Sequence, residues 1–301
     1  MHRLEDDMPE RALPTLSTVI AAASAALGRA GVASPRVDAE LLAAHVLGVS
    51  RARLLTASAT APQVAEIERL VARRAERVPL QHLTGAAPFY GLELEVGPGV
   101  FVPRFETELL VEWALARLGS AGRVVDLCSG SGAIALAVAT QRPDSEVYCV
   151  ERSESALPWL RGNVDRLAPR VRVVEADVRD DAFLSGISGT ADMVLCNPPY
   201  VPEAAPVDVE VAEHDPHEAV FAGGDGLDLM PAVARAAARL LRPGGRLAIE
   251  HDDTQGESLP ALLLAAGGFD EVEDHRDLAG RPRFTTARRT GGAVAWQDGS
   301  P

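Results

Sequence analysis

No stretch of this chain is apolar for long enough to cross a membrane. Met1 to Pro14 is polar, with Glu5, Asp6, Asp7 and Glu10, so no signal peptide is expected there. Cysteine is scarce. Cys128, Cys149 and Cys196 are odd in number, widely spaced, and each lies beside an apolar run. That excludes a disulfide framework and a cysteine zinc cluster, and it reads as buried thiols in a reducing cytoplasm. Positive charge is short as well: the formal net charge is −14 over 301 residues. Tight unaided binding to nucleic acid rests on neutralising phosphates, so no direct nucleic-acid partner is expected. No internal repeat is visible, and the length suits one large or two modest domains.

What is present begins with helices. Residues 1–13 read as a disordered leader. Leu16, Val19, Ile20, Ala23 and Leu27 then recur at helical spacing, with Gly31 as a stop. Ser34-Pro35 opens a second helix, its predicted apolar face being Val37, Leu41, Leu42, His45 and Val46, and Gly48 ends it. Ser50 to Leu55 reads as a short third helix. Pro62 starts another, with Val64, Ile67, Leu70 and Val71 inward and Arg69, Arg73, Arg74 and Arg77 largely outward. These make a helical bundle over 14–78 with no chemistry of its own; His45 reads as a helix-face residue rather than a ligand. Pro79 breaks the last helix. Leu92, Leu94 and Val96 alternate with Glu93 and Glu95, and Gly97-Pro98-Gly99 turns into Val100-Phe101-Val102, so 79–102 reads as a hairpin linker. Thr107 is expected to cap a helix bearing Leu110, Val111, Ala114 and Leu118.

From Arg123 strands and helices alternate. Runs at Val124–Leu127, Val147–Val150, Val171–Val174, Met193–Cys196 and Arg246–Glu250 read as strands, with two more near Glu271–His275 and Phe284–Arg288. Helices are expected from Ala133, from Glu154, near Leu227–Leu241 and near Glu257–Ala266. This is the pattern of an α/β domain over 103–290, a mostly parallel seven-stranded sheet with helices on both faces, followed by a flexible tail at 291–301.

Three features fall at the ends of consecutive strands. Asp126-Leu127-Cys128-Ser129-Gly130-Ser131-Gly132 lies between a strand and its helix, where glycines let the backbone approach a ligand and the helix start offers free N–H groups. Its spacing is not that of a dinucleotide loop. Glu151 ends the next strand, where a carboxylate can accept both hydroxyls of a ribose and would repel a 2′-phosphate. Asp177 ends the third, in reach of an exocyclic adenine amine. Singly each acid reads equally well as a loop residue; together they point to an adenosine-type site. Asn197-Pro198-Pro199-Tyr200 follows the fourth strand. The prolines stop the ladder and hold Asn197 extended at the sheet's carboxyl edge. A carboxamide, outward carbonyls and an aromatic face suit a planar amide or amine nitrogen.

With that tetrad the chain resembles the class I S-adenosylmethionine-dependent methyltransferases. Within them it resembles the HemK/PrmC family, which methylates the glutamine side-chain nitrogen (N5) of peptide chain release factors. Further matching pieces are Pro79–Gly85, Val102-Pro103-Arg104-Phe105-Glu106-Thr107-Glu108, Gly223-Gly224-Asp225-Gly226-Leu227 and Gly280-Arg281-Pro282-Arg283, so the resemblance covers about 14–290. The family usually has Gly at Cys128, Pro at Phe105, Asp at Glu151 and an aromatic at Val178. The last departure weakens stacking on adenine.

The resemblance implies S-adenosylmethionine as cofactor. Its methionine end would lie by Cys128, Ser129, Gly130, Ser131 and Gly132, its ribose on Glu151, its adenine beside Asp177 and Val178, and Asn197 near its methyl. It implies class I release factors as substrate, the glutamine of their Gly-Gly-Gln loop entering between cofactor and tetrad. There Asn197 and the Pro198 carbonyl would accept from the amide nitrogen while Pro199 and Tyr200 border it. The bundle would grip that protein. No general base, metal or membrane is expected, and a monomer is the simplest assembly. His214-Asp215-Pro216-His217 reads as a loop, and Glu250-His251-Asp252-Asp253 as helix-capping or surface residues. Two other readings stay open: an amino-methyltransferase of nucleic acid (adenine N6 or guanine N2), and a cofactor-binding scaffold without catalysis.

Overall fold

Val124 and Val125 are neighbours in sequence, face opposite sides of one strand, and are both fully buried. That marks a sheet covered by helices on both sides, and the computed structural model has that architecture. It describes residues 14–291; the leader expected at 1–13 and, Gly291 apart, the expected tail lie outside them. The chain divides after Thr84 into two compact units.

The first unit holds α1 (Leu16–Arg29), α2 (Pro35–Leu47), a 3-10 turn at Arg51–Leu55, α3 (Ala61–Ala75) and α4 (Leu80–Thr84). The predicted faces of α1 and α3 are the buried ones. The predicted face of α2 is buried only in part: Leu42 is fully buried and Val37, Leu41 and Val46 are half-buried, but His45 is exposed, and Asp38, Ala39, Ala43 and Ala44 are buried instead. The reason is Arg74, which is also not outward. Its side chain is 6% exposed, and its Nε donates to Asp38 Oδ2 at 2.8 Å. This pair turns α2 so that Asp38 and three small alanines meet the bundle core. Pro79 does not itself end α3, which stops at Ala75 with Arg77 in left-handed backbone; it opens α4 instead, its carbonyl accepting from His82 and Leu83 at 3.1 and 3.2 Å. The bundle therefore runs to Thr84 rather than to residue 78.

The second unit opens with a two-stranded hairpin, β1 (Ala86–Phe89) and β2 (Leu92–Glu95). Its turn is Tyr90-Gly91, with φ of 47° and 77°, the two left-handed residues a tight hairpin requires. The sequence pointed instead to Val100–Val102 as the partner of Leu92–Val96. Pro88 disguised β1, yet it is exposed on a free-standing ribbon where a missing N–H is tolerated. Gly97–Val102 instead packs on a helix. A Cβ on Gly97 would lie 2.5 Å from the Trp159 ring, and Ser155 donates to the Gly99 carbonyl at 2.8 Å.

After a 3-10 turn at Phe105–Thr107 come α5 (Glu108–Arg117), β3 (Arg123–Leu127), α6 (Ala133–Gln141), β4 (Glu146–Glu151), α7 (Leu157–Leu167) and β5 (Arg172–Glu175). Then follow β6 (Ala191–Cys196), α8 (Val209–His214), α9 (His217–Val220), α10 (Met230–Leu240), β7 (Leu241–Glu250), α11 (Ser258–Ala266), β8 (Phe269–Arg276) and β9 (Pro282–Arg289). The sheet has seven strands in the order β5-β4-β3-β6-β7-β9-β8. Pairs from β5 to β7 are parallel, and β9 runs antiparallel to both its neighbours. Val124, Val147, Met193 and Ala248 face α5, α6 and α7; Val125, Tyr148, Val194 and Leu247 face α10 and α11. The chain leaves β3 in one direction and β6 in the other, so the β3–β6 boundary is a switch point whose carboxyl edge is open to a ligand. Among the described residues no helix is long and apolar enough to cross a membrane.

The Arg74–Asp38 pair gives a test. Asp38→Ala leaves a buried guanidinium without its carboxylate, and urea unfolding should show a loss of about 3–5 kcal/mol. A loss below about 1 kcal/mol, the value of an exposed pair, would mean that water reaches Arg74.

Candidate functional site

The loop after β3 is tied back onto its neighbours. Ser129 N donates to the Val150 carbonyl at 3.1 Å, and the Ser129 hydroxyl donates to the Asp126 carbonyl at 2.9 Å. Gly130 N donates to Glu151 Oε2 at 2.8 Å, linking the ends of β3 and β4. Cys128 sits at φ 57°, a left-handed conformation that costs a side-chain-bearing residue about 1–2 kcal/mol. It is half-buried rather than buried as expected, while Cys149 and Cys196 are buried.

A cavity of about 830 Å³ opens on this edge, a volume suited to a nucleoside-sized ligand. Cys128, Ser129, Gly130, Ser131, Glu151, Asp177, Val178, Asn197, Pro198, Pro199 and Tyr200 all line it. Of the expected residues only Gly132 does not. It starts α6 at φ 86°, and a Cβ there would meet Leu160 at 2.7 Å, so it serves packing. Glu151 is nearly buried, and its Oε1 accepts from the Arg152 and Ser153 backbone N–H groups at 2.8 Å each. With Gly130 that fills three of its roughly four acceptor positions. Asp177 accepts from Arg179 N at 2.8 Å and faces Arg152 at 3.5 Å. Val178 is buried against the cavity wall.

Pro198 is buried, and Asn197, Pro199 and Tyr200 are half-buried. Asn197 Nδ2 donates to Thr107 Oγ1 at 3.2 Å, and the Tyr200 hydroxyl donates to Glu250 Oε1 at 3.0 Å. The loop is pinned from behind. Tyr200 N donates to the Val220 carbonyl at 3.2 Å, and Gln255 Nε2 donates to the Tyr200 carbonyl at 3.0 Å. A Cβ on Gly226 would sit 2.0 Å from that carbonyl, so the Gly223–Leu227 stretch needs glycine there.

Sequence reasoning missed Thr107 and Glu250. Thr107 stands at the start of α5 as expected, but its side chain makes no cap bond. Glu250 is not a surface residue: it is 1% exposed, and burial pushes its carboxyl above the usual range against the neighbouring Thr107 and Tyr200 hydroxyls. Asp252 does cap, closing a box with Gln255. Val211, Pro216 and His217 line the cavity, and the stretch read as a loop, residues 214–217, joins the last residue of α8 to the first of α9 through Asp215-Pro216. Asp215 between them is held by Arg104 at 2.7 Å, and burial raises its pKa to about 6. Among the described residues no group of three or more His, Cys, Asp or Glu side chains is arranged to hold a metal; His217 faces Glu203 at 3.2 Å.

A family model described as the PrmC N-terminal domain matches residues 18–85, and one described as the methyltransferase small domain matches residues 93–214. A release factor glutamine methyltransferase of Mycolicibacterium smegmatis is 50% identical over 276 residues, covering 91% of this chain and 98% of its own. One from Streptomyces coelicolor is 49% identical over 276 residues, covering 90% and 96%. Among solved structures, a methyltransferase from Pyrococcus furiosus shares the fold, with a TM-score of 0.50 and 18% identity over 67% of this chain and 90% of that one.

Asp126 supplies a pH test. It is 1% exposed with Oδ1 unpartnered, and burial, reinforced by Glu151, raises its pKa from 3.8 to about 8. A folded-state pKa above the unfolded value means that the proton is bound more tightly in the folded protein. The stability it contributes is complete below pH of about 4 and is lost as pH rises through about 8. Asp126→Asn removes this dependence. The melting temperature of the wild type should fall relative to the variant across that range; parallel curves would mean that the carboxyl titrates normally.

Proposed function

The chain belongs to the family of release factor glutamine methyltransferases, and on that footing we propose that it methylates the glutamine side-chain nitrogen in the Gly-Gly-Gln loop of class I release factors, with S-adenosylmethionine as donor. The observation that carries this reading is the pinned Asn197–Tyr200 loop, opening into the same cavity as the glycine-rich loop, Glu151 and Asp177.

The residues fit the cofactor. A Cβ on Gly130 would meet nothing within 4 Å, so the loop backbone is open where the methionine end would lie, with Cys128, Ser129 and Ser131 beside it. Glu151 keeps an acceptor position for a ribose hydroxyl, Asp177 can take the adenine amine, and Val178 offers an apolar wall. When bound, S-adenosylmethionine supplies an electrophilic methyl on a sulfonium whose departure drives the transfer.

The chain's own task is positioning. Because Asn197 donates its Nδ2 to Thr107, its Oδ1 is left to accept from the substrate amide. The Pro198 carbonyl is a second acceptor, and Tyr200 borders the amide with its hydroxyl anchored on Glu250. Two acceptors on one NH₂ aim the nitrogen at the methyl and oppose its delocalisation into the carbonyl. Such orientation can be worth about 7–11 kcal/mol of barrier. No side chain is assigned as general base, since the extra proton can leave after transfer. The helical unit fits a role in holding the protein substrate, and the three free thiols fit a reducing compartment.

The test uses methyl-labelled S-adenosylmethionine with a class I release factor. Label should appear on the wild-type factor and vanish when its Gly-Gly-Gln glutamine is replaced. Asn197→Ala should lower kcat by about 10²–10³-fold. Label on RNA or DNA instead of protein would overturn the substrate, and cofactor binding without any transfer would overturn the activity.

A further inference from the structure

Each polar group of Tyr200 already has a partner within the protein. Its backbone N–H donates to the Val220 carbonyl at 3.2 Å, its hydroxyl donates to Glu250 Oε1 at 3.0 Å, and its carbonyl accepts from Gln255 Nε2 at 3.0 Å. What Tyr200 offers the cavity is therefore its ring face, held at root and tip. Two of the three partners come from one stretch: β7 ends at Glu250, and a 3-10 turn at Asp253–Gln255 follows at once. Gln255 is 2% exposed, and both ends of its carboxamide are occupied. Nε2 donates to the Tyr200 and Asp225 carbonyls at 3.0 and 2.9 Å, and Oε1 accepts from Asp252 N at 2.9 Å. A flipped amide would set its oxygen against two carbonyls and its NH₂ against an N–H, so the orientation is fixed. Gly226 makes room for this: a Cβ there would lie 2.0 Å from the Tyr200 carbonyl oxygen and 2.5 Å from Gln255 Nε2.

The local fold does not ask for this amide. Gln255 closes a capping box with Asp252 through its side-chain oxygen, and a glutamate would close the same box. The donor end is what a glutamate lacks, and that end goes to the tetrad. Gln255 does not line the cavity, so it acts through Tyr200 alone. Only two prolines separate Tyr200 from Asn197, and their fixed φ leaves the loop little slack to absorb a shift at its end. We propose that Gln255 is a positioning residue for methyl transfer: its Nε2 holds the root of Tyr200 and thereby sets where the tetrad stands against the bound cofactor. This rests on the reading above that the tetrad receives the substrate amide. It adds a group outside the cavity that fixes the far end of that loop.

The experiment compares Gln255→Met, which keeps the length and loses the amide, with Asp252→Ala, which breaks the cap and keeps the amide. A displacement of about 1 Å near a reacting group can cost about 10²-fold in rate. Gln255→Met should therefore lower kcat about tenfold to hundredfold, with the KM for S-adenosylmethionine within about twofold of wild type. Asp252→Ala should keep kcat within about twofold, since a cap sets stability and not the tetrad. Calorimetric titration with S-adenosylmethionine counts the folded sites, and kcat is expressed per site. Wild-type kcat in Gln255→Met, or an equal fall in Asp252→Ala, overturns the proposal. If Gln255→Met does not fold, Gln255→Glu, which retains the capping oxygen, takes its place, and wild-type kcat there overturns the proposal equally. A second readout needs no substrate: hydrogen exchange at the Tyr200 and Val201 backbone amides, both bonded to the Val220 carbonyl. It should be about tenfold faster in Gln255→Met and unchanged in Asp252→Ala. If the wild type moves no methyl to a release factor, the function reading fails and the exchange arm decides alone; equal exchange in wild type and Gln255→Met then overturns the positioning role.

Discussion

Parallel pairing of β3 with β6, in the register that sets Leu127 opposite Cys196, holds the site together. Each strand ends there, and each hands the chain to a loop that cannot continue a ladder: Cys128 in left-handed backbone, and Asn197 before two prolines. The loops therefore leave the same edge side by side. A slip of one residue would turn Val125 and Val194 from the α10 face to the α5 face, against a core filled on both sides. The apolar core thus fixes the register, and the register fixes the distance between the glycine-rich loop and the tetrad. The next pairing, β6 with β7, does the same for Asn197 and Glu250.

Polar groups at this edge are arranged at a cost to stability. Asp126 and Glu250 are buried acids whose pKa values burial raises, and Cys128 holds a conformation that favours glycine. Asp38 in the helical unit is a buried acid too, but it has Arg74 beside it. The contrast is informative, because local rules tend to be broken where function needs them broken.

Much of this was legible in the sequence for identifiable reasons. Strands buried on both faces read as continuous apolar runs, and the residues that stop them are the ones that line the cavity; Cys128, Glu151, Asp177 and Asn197 were found in that way. What was missed depends on partners distant along the chain. Arg74 looked solvated because it stands in a run of arginines beside local glutamates such as Glu76, whereas its partner Asp38 lies 36 residues away. Pro88 hid β1 because a proline counts against a strand unless the strand is known to stand at an edge. Gly132 looked like its neighbour Gly130, and only the positions of Leu160 and Leu136 separate packing from ligand approach.

Thr107 and Glu250 are the instructive omissions. Each sits where a polar residue has an ordinary explanation, at a helix start and at a strand end followed by acids. The signal that would have exposed Glu250 is the strand it ends: Leu247, Ala248 and Ile249 are all fully buried, so a residue continuing that strand is buried as well. A buried carboxylate needs donors. The Tyr200 hydroxyl is such a donor, from a stretch already singled out for other reasons. A buried acid at the end of an apolar strand beside a cavity-lining loop is thus better read as a demand for hydrogen-bond partners than as surface. Tracing which group meets that demand leads from Glu250 to the Tyr200 hydroxyl, in the same loop as Asn197.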